Sequence, residues 1–85
     1  MRTFSYTIKD ALGIHARPAG MLAKTAKSYE SEITIEKDGK SVSCKGLLAL
    51  MGLGVKYGDT ITVTISGADE MQAEMGVRMF LEKNL

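Results

Sequence analysis

Four short segments of this chain alternate between apolar and polar residues, and this pattern restricts the possible folds more than any other feature. They read TFSYTI, EITIEK, KSVSCK and TITVTI, and begin at residues 3, 32, 40 and 60. Alternation with a period of two is typical of β-strands, because successive side chains point to opposite faces of a sheet. In each segment one face is apolar and the other carries mainly Thr, Ser or Glu. The pattern therefore predicts an antiparallel sheet that is covered on one side only.

The segments between and after these strands supply the cover. Residues 16–30 and 68–84 carry apolar side chains at helical spacing, and Asp69 is a suitable N-cap for the second of them. The predicted buried positions are Ala19, Leu22, Ala23, Ala26, Ala73, Val77, Phe80 and Leu81. Residues 46–52 are long enough for one or two further helical turns. The order β-α-β-β-α-β-α predicts an α+β fold with three helices on one face of a four-stranded antiparallel sheet, in a single domain spanning residues 1–85.

Charge and cysteine content exclude several classes of protein. Eleven basic and ten acidic residues leave a net charge of +1, which gives no indication of a nucleic-acid partner or an anionic membrane surface. The single cysteine, Cys44, excludes an internal disulfide framework and is expected to be buried and inert. No apolar run is suited to a signal peptide or long enough to cross a bilayer. We therefore expect a cytoplasmic protein without membrane insertion.

The stretch GIHARPAG, residues 13–20, contains the only histidine and the only proline of the chain. Proline fits the first turn of a helix, so Pro18 predicts that a helix begins here and that His15 lies at or just before its first turn. The start of a helix presents unpaired N–H groups and the positive end of the backbone dipole. Arg17 can reach the same point in space.

These groups favour phosphoryl chemistry. The imidazole of His15 would be the nucleophile, while the Arg17 side chain and the first-turn N–H groups of Ala16 and Arg17 would hold the phosphoryl oxygens. No second histidine, cysteine or carboxylate lies at metal-ligand spacing, so neither a metal ion nor another cofactor is expected. A serine hydrolase is disfavoured because a nucleophile-elbow motif is lacking. The alternative is that His15 is simply a polar residue that closes a loop.

Two sequence stretches, LGIHARPAG at residues 12–20 and GLLALMGLGVKYGD at residues 46–59, resemble the HPr family of histidine-containing phosphocarriers. These proteins belong to the bacterial phosphoenolpyruvate-dependent sugar phosphotransferase system. The resemblance extends over essentially the whole chain and implies an open-faced β-sandwich. It also implies that Nδ1 of His15 accepts a phosphoryl group from enzyme I and passes it to enzyme II A components, with support from Arg17. Such a protein is a transiently phosphorylated carrier and not an enzyme.

A carrier of this kind must dock on several proteins through one surface. The resemblance places the short helix within residues 46–52 beside the histidine, and its four large apolar residues cannot easily all point inward. We predict a docking surface for partners with acidic surfaces, made of apolar side chains, one bare backbone position and a basic rim: Leu47, Leu48, Met51, Gly20, Lys24 and Lys27. In the alternative reading, Leu47 and Leu50 serve the core and the others are incidental surface residues.

One position departs from the family pattern. Many members from Gram-positive bacteria have a serine at the start of the second helix that a dedicated kinase phosphorylates, and this chain has Gly46 there. The serine-linked regulatory role is therefore not expected.

Two further interpretations of the whole chain remain. One is a related paralogue in regulation or a nitrogen-related phosphorelay, and the other is a structural interaction domain that is never phosphorylated.

The last helix contains a stripe of methionines at every fourth position, which we call the Met stripe: Met71, Met75 and Met79. These residues project away from the predicted core face of the same helix, so they are expected to be exposed. We expect a monomer in which this stripe permits weak self-association, since methionine adapts readily to varied apolar contacts. The alternative is that the helix rotates so that some of these methionines pack at the core edge, or that they are simply tolerated on the surface.

Overall fold

The structure is a computed structural model that describes all residues from 1 to 85. Its seven elements follow the predicted order: β1 (Arg2–Thr7), α1 (Ala16–Lys27), β2 (Glu32–Lys37), β3 (Lys40–Ser43), α2 (Leu47–Gly52), β4 (Thr60–Ser66) and α3 (Glu70–Asn84). Ile8 and Cys44 lie just beyond the ends of β1 and β3, and both remain buried. None of the helices combines the length and the apolar character that crossing a membrane requires.

The four strands form one antiparallel sheet in the order β1-β4-β2-β3. β4 lies in the middle, and its Val63 pairs with Phe4 of β1 on one side and with Ile35 of β2 on the other. This register brings apolar residues of three strands into one row on the same face, because side chains of directly paired residues share a face of the sheet. The predicted alternation is confirmed.

The helices cover that apolar face. Every predicted core position of α1 and α3 is buried, and the two helices pack against each other as well as over the sheet. On the opposite face the threonines of β4 stay partly exposed, as the polar side of each strand predicted. The molecule is therefore an open-faced β-sandwich with one layer of helices.

Asp69 occupies the N-cap position of α3, as predicted, but its side chain does not cap the helix. Its carboxylate accepts hydrogen bonds from the Glu30 and Ser31 N–H groups, each 2.9 Å long, and from the Ser31 hydroxyl. The hydrogen bond from the Ser31 hydroxyl contributes most to holding the pKa of Asp69 below its usual value, followed by the one from the Glu30 N–H. The prediction that this side chain caps α3 is wrong, because the carboxylate accepts hydrogen bonds from the α1–β2 loop instead of from the first turn of the helix.

Candidate functional site

α1 begins immediately after His15, which occupies the N-cap position in an extended conformation. The His15 carbonyl accepts the N–H of Ala19 at 2.9 Å, while the imidazole makes no capping hydrogen bond. The ring is 39 % exposed. Pro18 lies in the first turn, as its lack of an N–H allows. The prediction that a helix starts here is confirmed.

The first turn of α1 leaves two backbone donors free. The N–H groups of Ala16 and Arg17 have no hydrogen-bond partner, and Pro18 has no N–H to offer. Free N–H groups at a helix start, together with the positive end of the backbone dipole, attract anions. The structure thus places two donors next to the imidazole.

The position of His15 depends on close packing of the loop that precedes it. Gly13 adopts a φ of +69°, and a Cβ there would overlap the Val55 carbonyl oxygen and lie 2.7 Å from the Cα of Lys56. The next residue, Ile14, is buried and donates its N–H to the Val55 carbonyl at 3.1 Å. The α2–β4 connection therefore acts as a platform that fixes the backbone leading into the histidine.

His15 and Arg17 face the same open depression of about 340 Å³, as the sequence predicted. Two cationic side chains and one carboxylate share the depression with the single imidazole. It is lined by Asp10, His15, Arg17, Pro18, Met21, Lys83 and Asn84. This arrangement provides a nucleophilic nitrogen together with groups able to hold an anion beside it.

Asp10, Lys83 and Asn84 were not predicted to lie beside the histidine. Asp10 comes from the β1–α1 loop, and its Oδ2 lies 3.6 Å from Nε2 of His15. Its short separation from the histidine in sequence was the one available signal. Lys83 and Asn84 come from the end of α3, which meets the loop because the Leu85 carbonyl accepts the N–H of Asp10 at 2.8 Å. No local pattern could have indicated this meeting.

The predicted docking residues all have access to solvent. Leu48 is 83 % exposed, Leu47 42 % and Met51 40 %, whereas Leu50 is fully buried. Leu47 therefore does not serve the core in the way that Leu50 does. α2 packs against α1, where Lys24 and Lys27 are exposed and Gly20 is partly exposed. A Cβ at Gly20 would meet nothing within 4 Å, so a partner can approach the backbone closely at that position.

Gly46 is the N-cap of α2 and carries no hydroxyl group. The nearest serine, Ser43, is exposed at the end of β3, and its Oγ accepts the N–H of Lys45 at 3.2 Å. Lys45 itself donates from Nζ to the Tyr29 carbonyl at 3.0 Å.

The fold and the depression together define a class of protein: a small open-faced α+β domain with a single histidine at a helix start that has free N–H groups. The family model described as "PTS HPr component phosphorylation site" matches residues 2–83, and the chain belongs to this family. It is thus a phosphocarrier of the phosphotransferase system, in agreement with the resemblance noted in the sequence.

Individual relatives agree over nearly the full length. The phosphocarrier protein HPr of Mycoplasma genitalium is 41 % identical over 85 residues, which cover 99 % of this chain and 97 % of that protein. The crystal structure of HPr-C-His from Thermoanaerobacter tengcongensis superposes with a TM-score of 0.93 at 35 % identity, covering 98 % of this chain and 93 % of that one. A structure of the histidine-containing phosphocarrier protein of Mycoplasma also gives a TM-score of 0.93 at 35 % identity, with 96 % and 93 % covered.

Proposed function

We propose that His15 accepts a phosphoryl group from phospho-enzyme I and passes it to enzyme II A components for sugar uptake. We further propose that the protein acts in the cytoplasm. The observation that carries this proposal is the single imidazole, which shares a depression with Arg17 beside the two free N–H groups of the first turn of α1. The family assignment supports the carrier role.

The chemistry of the proposal follows from the ring and its surroundings. Nε2 of His15 is the ring nitrogen near Asp10, which leaves Nδ1 to attack phosphorus. A bond from Nδ1 to phosphorus forms while the bond from phosphorus to the donor breaks, and the second transfer reverses these events on the acceptor. The Arg17 guanidinium and the N–H groups of Ala16 and Arg17 hold the phosphoryl oxygens through charge-assisted hydrogen bonds.

We further propose that both partners bind over the same surface. Donor and acceptor must each reach Nδ1, so they use the area around the depression in turn. The exposed apolar side chains of α2 supply a centre for docking, and Lys24 and Lys27 supply a basic rim suited to acidic partner surfaces.

The direct experiment is incubation with phosphoenolpyruvate and enzyme I, followed by intact mass measurement. The wild-type protein should gain one phosphoryl group that is labile in acid and stable in base, and His15→Ala should gain none. Arg17→Ala should be phosphorylated roughly tenfold more slowly or worse, because it loses a charge-assisted contact of about 1.5–3 kcal/mol.

Arg78→Ala is the matched control, since it also removes one guanidinium. Arg78 lies on the exposed side of α3, where it stacks over Phe4 and pairs with Glu74, and it does not line the depression. Phosphorylation of His15→Ala at the wild-type rate would overturn the proposal. Equal slowing by the two arginine variants would remove the role assigned to Arg17.

A further inference from the structure

We infer that Asp10 is a positioning residue for His15: its carboxylate keeps the proton on Nε2, so that Nδ1 is free to take up and release the phosphoryl group. This inference rests on the proposed function of His15. Asp10 is the only carboxylate residue that lines the depression, and its Oδ2 lies 3.6 Å from Nε2.

The backbone and side chain of Asp10 are both held in place. Its N–H donates to the Leu85 carbonyl at 2.8 Å, and its carbonyl accepts the N–H of Gly13 at 3.0 Å. The same Oδ2 accepts the N–H of Leu12 at 2.9 Å. The carboxylate is therefore aimed at the imidazole by a loop that is tied at several points.

The separation of 3.6 Å is longer than a hydrogen bond, so in this state the contact between Asp10 and Nε2 is electrostatic. Catalytic hydrogen bonds are often long before substrate binds and shorten as charge develops on the reacting groups. Here the charge develops on the ring of His15 when it is phosphorylated, which draws the N–H of Nε2 towards Asp10.

The movement of electrons and protons explains why this contact matters. Neutral imidazole carries one proton, and a proton on Nε2 leaves the lone pair on Nδ1. When Nδ1 bonds to phosphorus, the ring becomes positively charged while Nε2 keeps its proton. On transfer the bond from phosphorus to Nδ1 breaks, its electron pair returns to Nδ1, and the ring leaves as neutral imidazole. Without the proton on Nε2 it would have to leave as imidazolate, which is a far poorer leaving group.

The other charges facing the ring act in the opposite direction. Arg17 from α1 and Lys83 from α3 line the same depression and disfavour a positive ring. Asp10, from the β1–α1 loop, is the group that compensates for them. The cations thus hold the phosphoryl oxygens, while the carboxylate stabilises the ring that carries the phosphorus.

The test uses the fact that the chain has one histidine, so ¹⁵N NMR reports this ring alone. In the neutral ring, wild type and Asp10→Asn should hold the proton mainly on Nε2, because an amide oxygen also accepts. Asp10→Ala should hold a smaller share of the proton on Nε2. The second readout is the rate at which the phosphorylated protein returns its phosphoryl group through enzyme I to pyruvate. This rate should fall by roughly three- to tenfold in Asp10→Ala and by less in Asp10→Asn.

Glu36→Ala serves as the control for loss of one negative charge, since Glu36 is exposed on β2 and does not line the depression. It should change neither readout. An unchanged proton distribution in Asp10→Ala would overturn the inference, and so would wild-type transfer by Asp10→Asn and Asp10→Ala alike. Absence of phosphorylation in the wild-type protein would instead contradict the proposed function, while the NMR comparison would still decide whether Asp10 sets the position of the proton.

Discussion

Replacing Gly13 with alanine should damage the loop that carries His15 far more than the added methyl group suggests. Two separate penalties apply at this position. The backbone has a φ of +69°, a conformation that side chains disfavour, and the new Cβ would meet the backbone of Val55 and Lys56. Backbone atoms cannot swing aside as the end of a flexible side chain can, so the loop itself must move away from the α2–β4 connection.

The magnitude follows from the contacts that such a movement breaks. The left-handed conformation costs about 1–2 kcal/mol, of which the reduced freedom of the unfolded chain returns about 0.4–1 kcal/mol. Loss of the hydrogen bond from Ile14 to Val55 adds about 1 kcal/mol. Partial exposure of the Ile14 side chain adds about 1 kcal/mol more. We therefore expect Gly13→Ala to lower the free energy of unfolding by about 3 kcal/mol.

Gly54→Ala is the matched control, because Gly54 has a φ of +70° and a Cβ there would meet nothing within 4 Å. It should cost about 1 kcal/mol, the conformational part alone. Urea denaturation measures both, and with a slope of about 1 kcal/mol per M the midpoints should fall by roughly 3 M and 1 M. Gly20→Ala, in open space within a helix, should raise the stability by about 0.5–1 kcal/mol. Equal losses for Gly13→Ala and Gly54→Ala would refute the reasoning that packing against the α2–β4 connection positions His15.

Four further outcomes are expected. Hydrogen bonds lower the pKa of Asp69 below its usual value of 3.8, so the contribution of this carboxylate to stability is present above that value and disappears as the pH falls through the lowered pKa. Urea titrations at a series of pH values should therefore show the stabilities of wild type and Asp69→Asn converging only below pH 3.8. Burial raises the pKa of the Cys44 thiol to about 12, so a thiol reagent should modify the unfolded chain and not the folded one. An ATP-dependent HPr kinase should leave the wild-type protein unmodified and phosphorylate Gly46→Ser, whereas phosphoserine on the wild type would show that another serine has taken that role. Each side chain of the Met stripe is more than half exposed. Replacing all three with glutamine should leave phosphorylation rates unchanged and abolish any concentration-dependent dimer in sedimentation. A wild-type protein that stays monomeric at all accessible concentrations would contradict self-association.

The central part of the candidate site could be predicted because it is local in sequence. His15, Arg17 and Pro18 lie within four consecutive residues, and the rules for the first turn of a helix are enough to place a ring, a guanidinium and free N–H groups together. That some apolar side chains of α2 face solvent was also predictable, since a short helix cannot easily bury four large apolar residues against one sheet. What these groups do in phosphoryl transfer stays a prediction until it is measured.

The surroundings of the ring could not be predicted, because they are contributed by segments that meet only after folding. Lys83 reaches the depression because α3 packs over the sheet and ends at the β1–α1 loop, where the Leu85 carbonyl accepts backbone N–H groups. Gly13 matters because the α2–β4 connection passes directly beneath it. The spacing of apolar and polar residues along the sequence indicates neither of these contacts.

By itself, the sequence determined the number, order and buried faces of the strands and helices, since the spacing of apolar residues records which side of each element is removed from water. Tertiary structure alone decided the partners of individual polar groups. The carboxylate of Asp69 met the α1–β2 loop instead of its own helix, and that of Asp10 met Nε2 of His15. The physical reason is that a polar group interacts with whichever partner lies close to it, and that distance depends on how whole elements pack.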